Sequence, residues 1–190
     1  APSNHGFVVD IASGSSELTQ IGCKVLVNAA GLDAERLARS MPGVAFTVPP
    51  IHFAKGCFYS LSGRAPFRHL IVPIGATLSE GGAFTLDLAG QGRVGPDLEW
   101  VNARDYSVAP DRHQQFATAI QRYFPSFDPS GLLPGFSGIR PRLTGPGEPA
   151  SDWLIAGPAM HGVPGLVHLL GMDTPGLTAC LAIADRVRSE

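Results

Sequence analysis

The segment that most constrains the fold is His161–Val187, where an apolar strand, a glycine turn and an amphipathic helix follow one another directly. Val163–Leu170 is rich in Val and Leu and reads as a strand, and Gly171 punctuates it. Asp173 or Thr174 is placed to cap a helix that Pro175 opens, since proline is tolerated at the first helical position. Leu177–Val187 (LTACLAIADRV) then keeps one side apolar. Such an elbow turns unpaired backbone N–H groups and the positive end of a helix dipole toward whatever lies before it. That suits an electron-rich or anionic ligand edge. Many α/β proteins carry the same turn with nothing bound, so it speaks first about topology.

The 190 residues suffice for one domain of ordinary size or one and a half small ones. With 44% hydrophobic and 16% charged residues and a formal charge of −2, the chain has no electrostatic case for nucleic acid or a membrane surface. The 23 glycines and 17 prolines are dispersed, which makes the chain turn-rich rather than disordered. No internal repeat is present. Cys23, Cys57 and Cys180 form no CxxC pair and the six histidines lack ligand spacing, so no metal site is expected. Reduced, mostly buried thiols point to the cytoplasm. There is no apolar run of spanning length and no signal-peptide pattern. Ala1–Gly6 runs straight into a strand, as though something preceded it.

Along the chain, Phe7–Ile11, a turn at Ser13–Ser16 and Glu17–Ile21 read as a hairpin. Lys24–Val27 is suited to a buried parallel strand and ends in the small residues Asn28-Ala29-Ala30-Gly31. Asp33–Ser40 is a short helix closed by Met41-Pro42-Gly43. Strands are expected at Phe53–Leu61, Leu70–Ile74, Gly82–Leu88 and Gly92–Val94, the third alternating as a half-buried antiparallel strand does. Asp111–Phe124 is the best amphipathic helix, with Phe116, Ile120, Tyr123 and Phe124 on one side, and core packing is its plain explanation. Leu132–Leu143 reads as a strand interrupted by glycines, and Trp153–Ile155 as another short one. No GxGxxG or GxxxxGK occurs, nor a GxSxG elbow, and the carboxylates are too scattered for a glycosidase pair.

Arg140, between Ile139 and Pro141 in a Gly-rich strand, is the foremost candidate for chemistry. A planar guanidinium there can clamp a carboxylate through two parallel hydrogen bonds, the plainer alternative being a surface arginine or a structural ion pair. Arg142 shares its face in a regular strand. Lys55 and Tyr59, four apart on a strand, project to one side. Facing a pocket they would set a cation and a hydroxyl beside Arg140, and a solvent-facing lysine and a packing tyrosine are the simpler outcomes. Thr85 is a weaker candidate on the neighbouring strand.

KVLVNAAGL, FAKGCFYSL, GRVGPDLEWV, FSGIRPRL and HGVPGLVHLLGMDTPGLTACLAIADRV occur in an order that resembles the C-terminal half of FAD-dependent oxidoreductases of the D-amino-acid-oxidase class. The resemblance is strongest to the L-2-hydroxyglutarate dehydrogenase/oxidase group and runs from about Phe7 to the end. It implies a mixed α+β and α/β fold, the C-terminal portion of a two-domain flavoprotein. Residues 1–48 would be a partial FAD-binding domain, and 49–132 a substrate domain with a mixed, largely antiparallel sheet. Residues 133–190 would be the returning FAD-binding segment with its C-terminal helix. The family's Gly-rich βαβ unit is missing, so the chain reads as a fragment, a truncated product or one part of a split protein. FAD binding by this chain alone is accordingly expected to be weak or absent, and the incomplete FAD domain to favour self-association.

By the same resemblance, Gly171, Met172, Thr174, Pro175, Gly176, Leu177 and Thr178 would face the flavin's pyrimidine end and stabilise negative charge there. Asn28, Ala30 and Gly31 would line its phosphate–ribityl portion. Arg140 matches the family's GxRP element and would bind the acid. The implied reaction is oxidation of a C–H bond next to a carboxylate, with hydride passing to the flavin. Departures stand at Val72, where relatives have tyrosine, and at Ala83, where they have a histidine. Others are Leu170 for an aromatic residue, and Asp173 and Thr174 for glutamate and serine. If the missing histidine is the base, the chain lacks one, with His161 and His168 substitutes only in principle, so the catalytic base is unassigned. Two other readings stand beside a 2-hydroxy-acid oxidoreductase: a non-catalytic remnant, and an amino-acid oxidase of the same superfamily.

Overall fold

In chain order the elements are β1 (Pro2–Ser3), β2 (Gly6–Ala12), β3 (Leu18–Cys23), β4 (Leu26–Asn28), α1 (Ala34–Arg39), β5 (His52–Leu61), β6 (Phe84–Leu86), β7 (Gly92–Val94), β8 (Glu99–Val101), α2 (His113–Gln121), β9 (Leu132–Arg142), β10 (Leu154–Ala156), α3 (Pro158–His161), β11 (Leu166–Leu170) and α4 (Cys180–Arg188). The structure, a computed structural model, describes residues 2–3, 6–12, 18–41, 43, 45–74 and 80–190. The expected turn at Ser13–Ser16, together with Glu17 and Pro42, lies outside them. Content is mixed, with antiparallel pairing in each sheet and a parallel pair between β4 and β11. The chain forms two units, Ala1–His52 with Pro141–Glu190, and Phe53–Arg140. The sequence reading set the bounds at 48/49 and 132/133, and residues 133–140 instead belong with the unit whose β5 they pair.

In the first unit β2 and β3 form the expected hairpin, in register from Phe7↔Cys23 to Ala12↔Leu18. A second sheet has the order β10-β11-β4, with β11 antiparallel to β10 and parallel to β4. Ala34 and Ala38 are small enough for α1 to close on Leu170, and Val48, Phe46, Ile51, Leu143 and Leu154 complete this core. Glu35 ties the helix down, accepting from the Ile51 N–H at 2.6 Å and pairing with Arg39 at 2.8 Å. Two expectations change. Lys24–Val27 is not buried on both sides, since Val25 is 62% and Val27 40% exposed. The C-terminal helix begins at Cys180, not at Pro175, and no side chain caps it. Asp173 is engaged elsewhere, by Arg142 Nε at 3.3 Å, and turns closed by Gly176 N–H to Asp173 O and Ala179 N–H to Pro175 O fill the interval.

In the second unit the sheet order is β6-β7-β5-β8, with β9 also pairing β5. The early part of β5 pairs β8 (Phe53↔Val101 to Lys55↔Glu99) and the later part β7 (Tyr59↔Val94, Ser60↔Arg93). Between them Asp97 stands in for a strand. Its Oδ1 accepts from the Cys57 N–H at 2.7 Å, and its own N–H donates to the Cys57 carbonyl at 3.3 Å. The buried carboxylate is balanced by Arg112 at 2.6 Å, as an anion out of water requires. The amphipathic α2 lays Phe116, Ala117 and Ile120 against Tyr59, Phe84, Val94 and Leu132. Each large side chain so buried contributes roughly 1.5–3 kcal/mol.

Leu70–Ile74 is not a strand. Only Ile71 bridges to Phe84, and Pro73 has no N–H to give a ladder. The Gly82–Leu88 strand shrinks to Phe84–Leu86, because the Asp87 carboxylate accepts from the Ala89 and Gln91 N–H groups and turns the chain.

Candidate functional site

Strand alternation gives the second unit's sheet two unlike faces. Tyr59, Val94 and Phe84 stand in one row of register and Ser60, Arg93 and Thr85 in the next. The first row is core. The second belongs to the other face, which also carries Phe58 and the backbone of Gly56. A Cβ at Gly56 would come within 2.9 Å of Pro96 Cβ, 3.3 Å of the Asp97 carbonyl oxygen and 3.8 Å of Arg140 Nη2. The Arg140 guanidinium therefore lies on the Gly56 side of β5, the side of Thr85. Phe58 and Phe136 stack there at 4.7 Å, and the Arg93 guanidinium covers Phe136 at 5.3 Å while pairing with Asp87 at 2.9 Å.

Lys55 and Tyr59 project to the opposite face and do not flank Arg140. Lys55 is 3% exposed, its Nζ 2.9 Å from Asp105 Oδ2. Burial alone would lower the ammonium's pKa, but the Asp105 bond and charge outweigh it, and the net shift is upward. The Lys55 bond, helped by the Ser107 N–H and hydroxyl, holds the Asp105 carboxyl down at about 2. Tyr59 packs on Phe116 at 4.6 Å, and its hydroxyl donates to the Ala109 carbonyl at 2.6 Å. Burial raises its pKa. Both residues fasten the 105–109 stretch to the core, the plainer role left open by the sequence. Arg142 pairs with Asp173 at 3.3 Å, and Arg140 is the arginine of β9 found over Gly56.

In the first unit the 28–31 turn is organised by Asn28. Its Nδ2 donates to the Ala34 carbonyl at 2.8 Å, and its Oδ1 accepts from the Ala30 N–H at 3.3 Å. Asn28 is buried and holds the turn, whereas Ala30 is exposed and Gly31, at φ +57°, has open space where a Cβ would stand. Gly31 lines an apolar groove of about 510 Å³ with Val27, Met172, Gly176, Leu177 and Ile183. Four of the ten residues expected to meet a cofactor thus share one surface. Gly171 is buried at φ +70°, where a Cβ would strike the Leu143 side chain, and it sets the turn from below. Thr174, Pro175 and Thr178 are exposed beside the groove's segment. The N–H groups of Thr174, Leu177 and Thr178 find no backbone acceptor among the described residues.

Neither candidate substitute base is available. His161 and His168 are buried, with ring centroids 5.6 Å apart. His161 Nε2 meets the Ala156 carbonyl at 3.2 Å. Desolvation, then the neighbouring His161, pushes His168 down to about 4. Ala83, at the histidine's position, serves the backbone by accepting from Gly95 N–H at 2.9 Å. Among the described residues no cluster of His, Cys, Asp or Glu could hold a metal ion, and no helix is long and apolar enough to cross a membrane. The sequence reading missed Phe58, Phe136 and Arg93. Strand parity held the signal, since Phe58 stands two residues from Gly56 and Phe136 four from Arg140.

The model of the FAD dependent oxidoreductase family matches residues 4–189. L-2-hydroxyglutarate dehydrogenase, mitochondrial, of Arabidopsis thaliana is 41% identical over 179 residues, covering 87% of this chain and 37% of that protein. The fold is similar to that of L-alpha-glycerophosphate oxidase from Mycoplasma pneumoniae (TM-score 0.69, 21% identity, 86% of this chain and 41% of the other). It is also similar to glycine oxidase from Geobacillus kaustophilus (TM-score 0.62, 21% identity, 97% and 48%). The chain spans less than half the length of each.

Proposed function

Because the chain belongs to the FAD dependent oxidoreductase family, we propose that it is the part of a flavoenzyme that seats a small 2-hydroxy acid, such as 2-hydroxyglutarate, for oxidation. The observation that carries the reading is Arg140 on the sheet face away from the second unit's core, the face that also carries Thr85. Its planar fork binds the carboxylate and orients the carbon beside it, and Thr85 offers a hydroxyl to the polar end of the acid. Phe58 and Phe136 give that face an apolar patch. When bound, FAD supplies the hydride acceptor. The first unit's residues fit such a group: Ala30 and Gly31 leave room for close approach, and Met172, Gly176 and Leu177 offer an apolar wall. The amides at Thr174, Leu177 and Thr178 donate to an electron-rich edge, with Gly171 and Pro175 shaping the turn. Three free thiols are compatible with the cytoplasm as its compartment.

The test is a titration of the chain with L-2-hydroxyglutarate. Arg140→Ala is expected to weaken binding by roughly 2–4 kcal/mol, the cost of losing a charge-assisted pair. Equal affinity in the variant removes Arg140 from the site. Preference for an amino acid over the hydroxy acid would turn the reading to the amino-acid oxidases. The chain alone is expected to retain little FAD, and stoichiometric flavin after gel filtration would contradict that.

A further inference from the structure

Asn28 and His168 face each other across the parallel β4–β11 pair, Nδ2 to Nδ1 at 3.0 Å, both buried. The Asn28 amide has no freedom to turn over. The Ala34 carbonyl only accepts, so it takes Nδ2, and the Ala30 N–H only donates, so it takes Oδ1. With Nδ2 presented to His168, ring Nδ1 has to be an acceptor and the neutral ring's proton sits on Nε2. Nε2 meets no partner among the described residues. A proton on Nδ1 would set N–H against N–H. Reversing the amide to receive it would break both backbone bonds of the turn.

Among the described residues the surroundings offer no counter-charge. From α3 the neighbour is His161, pinned with its own Nδ1 accepting from the Val163 N–H at 3.2 Å. From the 45–48 stretch it is the Phe46 ring, stacked at 6.0 Å. On α1, Glu35 and Arg39 are engaged with each other and with the Ile51 N–H and Val48 carbonyl. His161 is the ionisable group that acts on the His168 ring, and its effect is to disfavour the charged ring.

We infer that His168 is a positioning residue for the 28–31 turn: its bare Nδ1 holds Asn28, and through Asn28 the Ala30 amide, until the ring takes a proton. A turn ordered at neutral pH and loosened by acid follows. The consequence for a cofactor rests on the proposed role of that turn, whereas the tautomer and the coupling do not.

Side-chain ¹⁵N spectra of the unmodified chain at pH 7 are expected to show His168 protonated at Nε2 only, and a proton on Nδ1 overturns the inference. On lowering the pH, the Ala30 and Gly31 amide shifts are expected to move with the ring, near pH 4. Amides that stay still while the ring titrates overturn it too. His168→Asn keeps an acceptor oxygen near the Nδ1 position and cannot take the proton, so the same amides should stay unchanged from pH 7 to 4. His168→Leu should speed Ala30 amide exchange on the order of fivefold to tenfold, the loss of one hydrogen bond. Unchanged exchange counts against the inference. Where that variant loses its fold, the pH 7 tautomer of the unmodified chain decides alone. If ring and amides behave as expected while FAD leaves the 28–31 resonances untouched, the cofactor reading fails and the positioning role stands.

Discussion

The two units are buried in different chemistry. In Phe53–Arg140 the largest fully buried side chains are Tyr59, Phe84 and Phe116, an aromatic core stacked between a sheet and α2. In the other unit they are Leu166 and Leu170 together with the polar His161, His168 and Asn28. Its α4 buries no residue, and Leu181 is 80% exposed. One unit is held chiefly by apolar area, which is indifferent to protons, with Asp97 and Lys55, paired to Arg112 and Asp105, as its buried charges. The other rests on hydrogen bonds whose donors and acceptors must stay in one protonation state.

Trp100 and Trp153 lie one in each unit, so single-tryptophan variants can follow the units separately. The largest effect is expected from Phe116→Ala, which should cost roughly 3–5 kcal/mol in denaturant unfolding followed at Trp100. A similar loss at Trp153 would erase the distinction between the units. Next comes acid. His168 titrates at about 4 in the folded chain against 6.5 when free, so the unfolded state binds the proton first. Stability followed at Trp153 is expected to fall by roughly 3 kcal/mol between pH 6.5 and 4, then level off. The signal from Trp100 should stay flat over that window. Asp105, depressed to about 2, withdraws its contribution only as pH drops below the ordinary carboxylate range toward that value. The smallest effect is expected from Leu181→Ser on α4, within about 0.5 kcal/mol, because that side chain has no packing to lose. A larger loss would mean that α4 is covered in solution.

Where local periodicity and burial agree, the sequence was readable. α2, β5 and the β2–β3 hairpin follow their apolar spacing to within a few residues. Elements decided by a single side chain's partner were not. The start of α4 depended on Asp173 being taken by Arg142, and the end of β6 on Asp87 folding back to its own backbone. The site was legible in part for the same reason. Arg140 stood out by residue type, but the face it occupies is fixed by what lies over Gly56, which no spacing along β9 reveals. Lys55 and Tyr59 satisfy strand parity perfectly well. Parity groups them with each other and leaves open which side is core.

Gly56 has one more consequence. The gap between its backbone and the Pro96 ring is narrower than a methyl group, with the Asp97 carbonyl as a second close wall. Alanine there would crowd Pro96 Cβ at 2.9 Å and the Asp97 carbonyl oxygen at 3.3 Å, while the guanidinium at 3.8 Å would only be in ordinary contact. A methyl group at position 56 would therefore bear on the 96–97 turn behind this face without altering any polar side chain, and a screen confined to polar positions would pass over it.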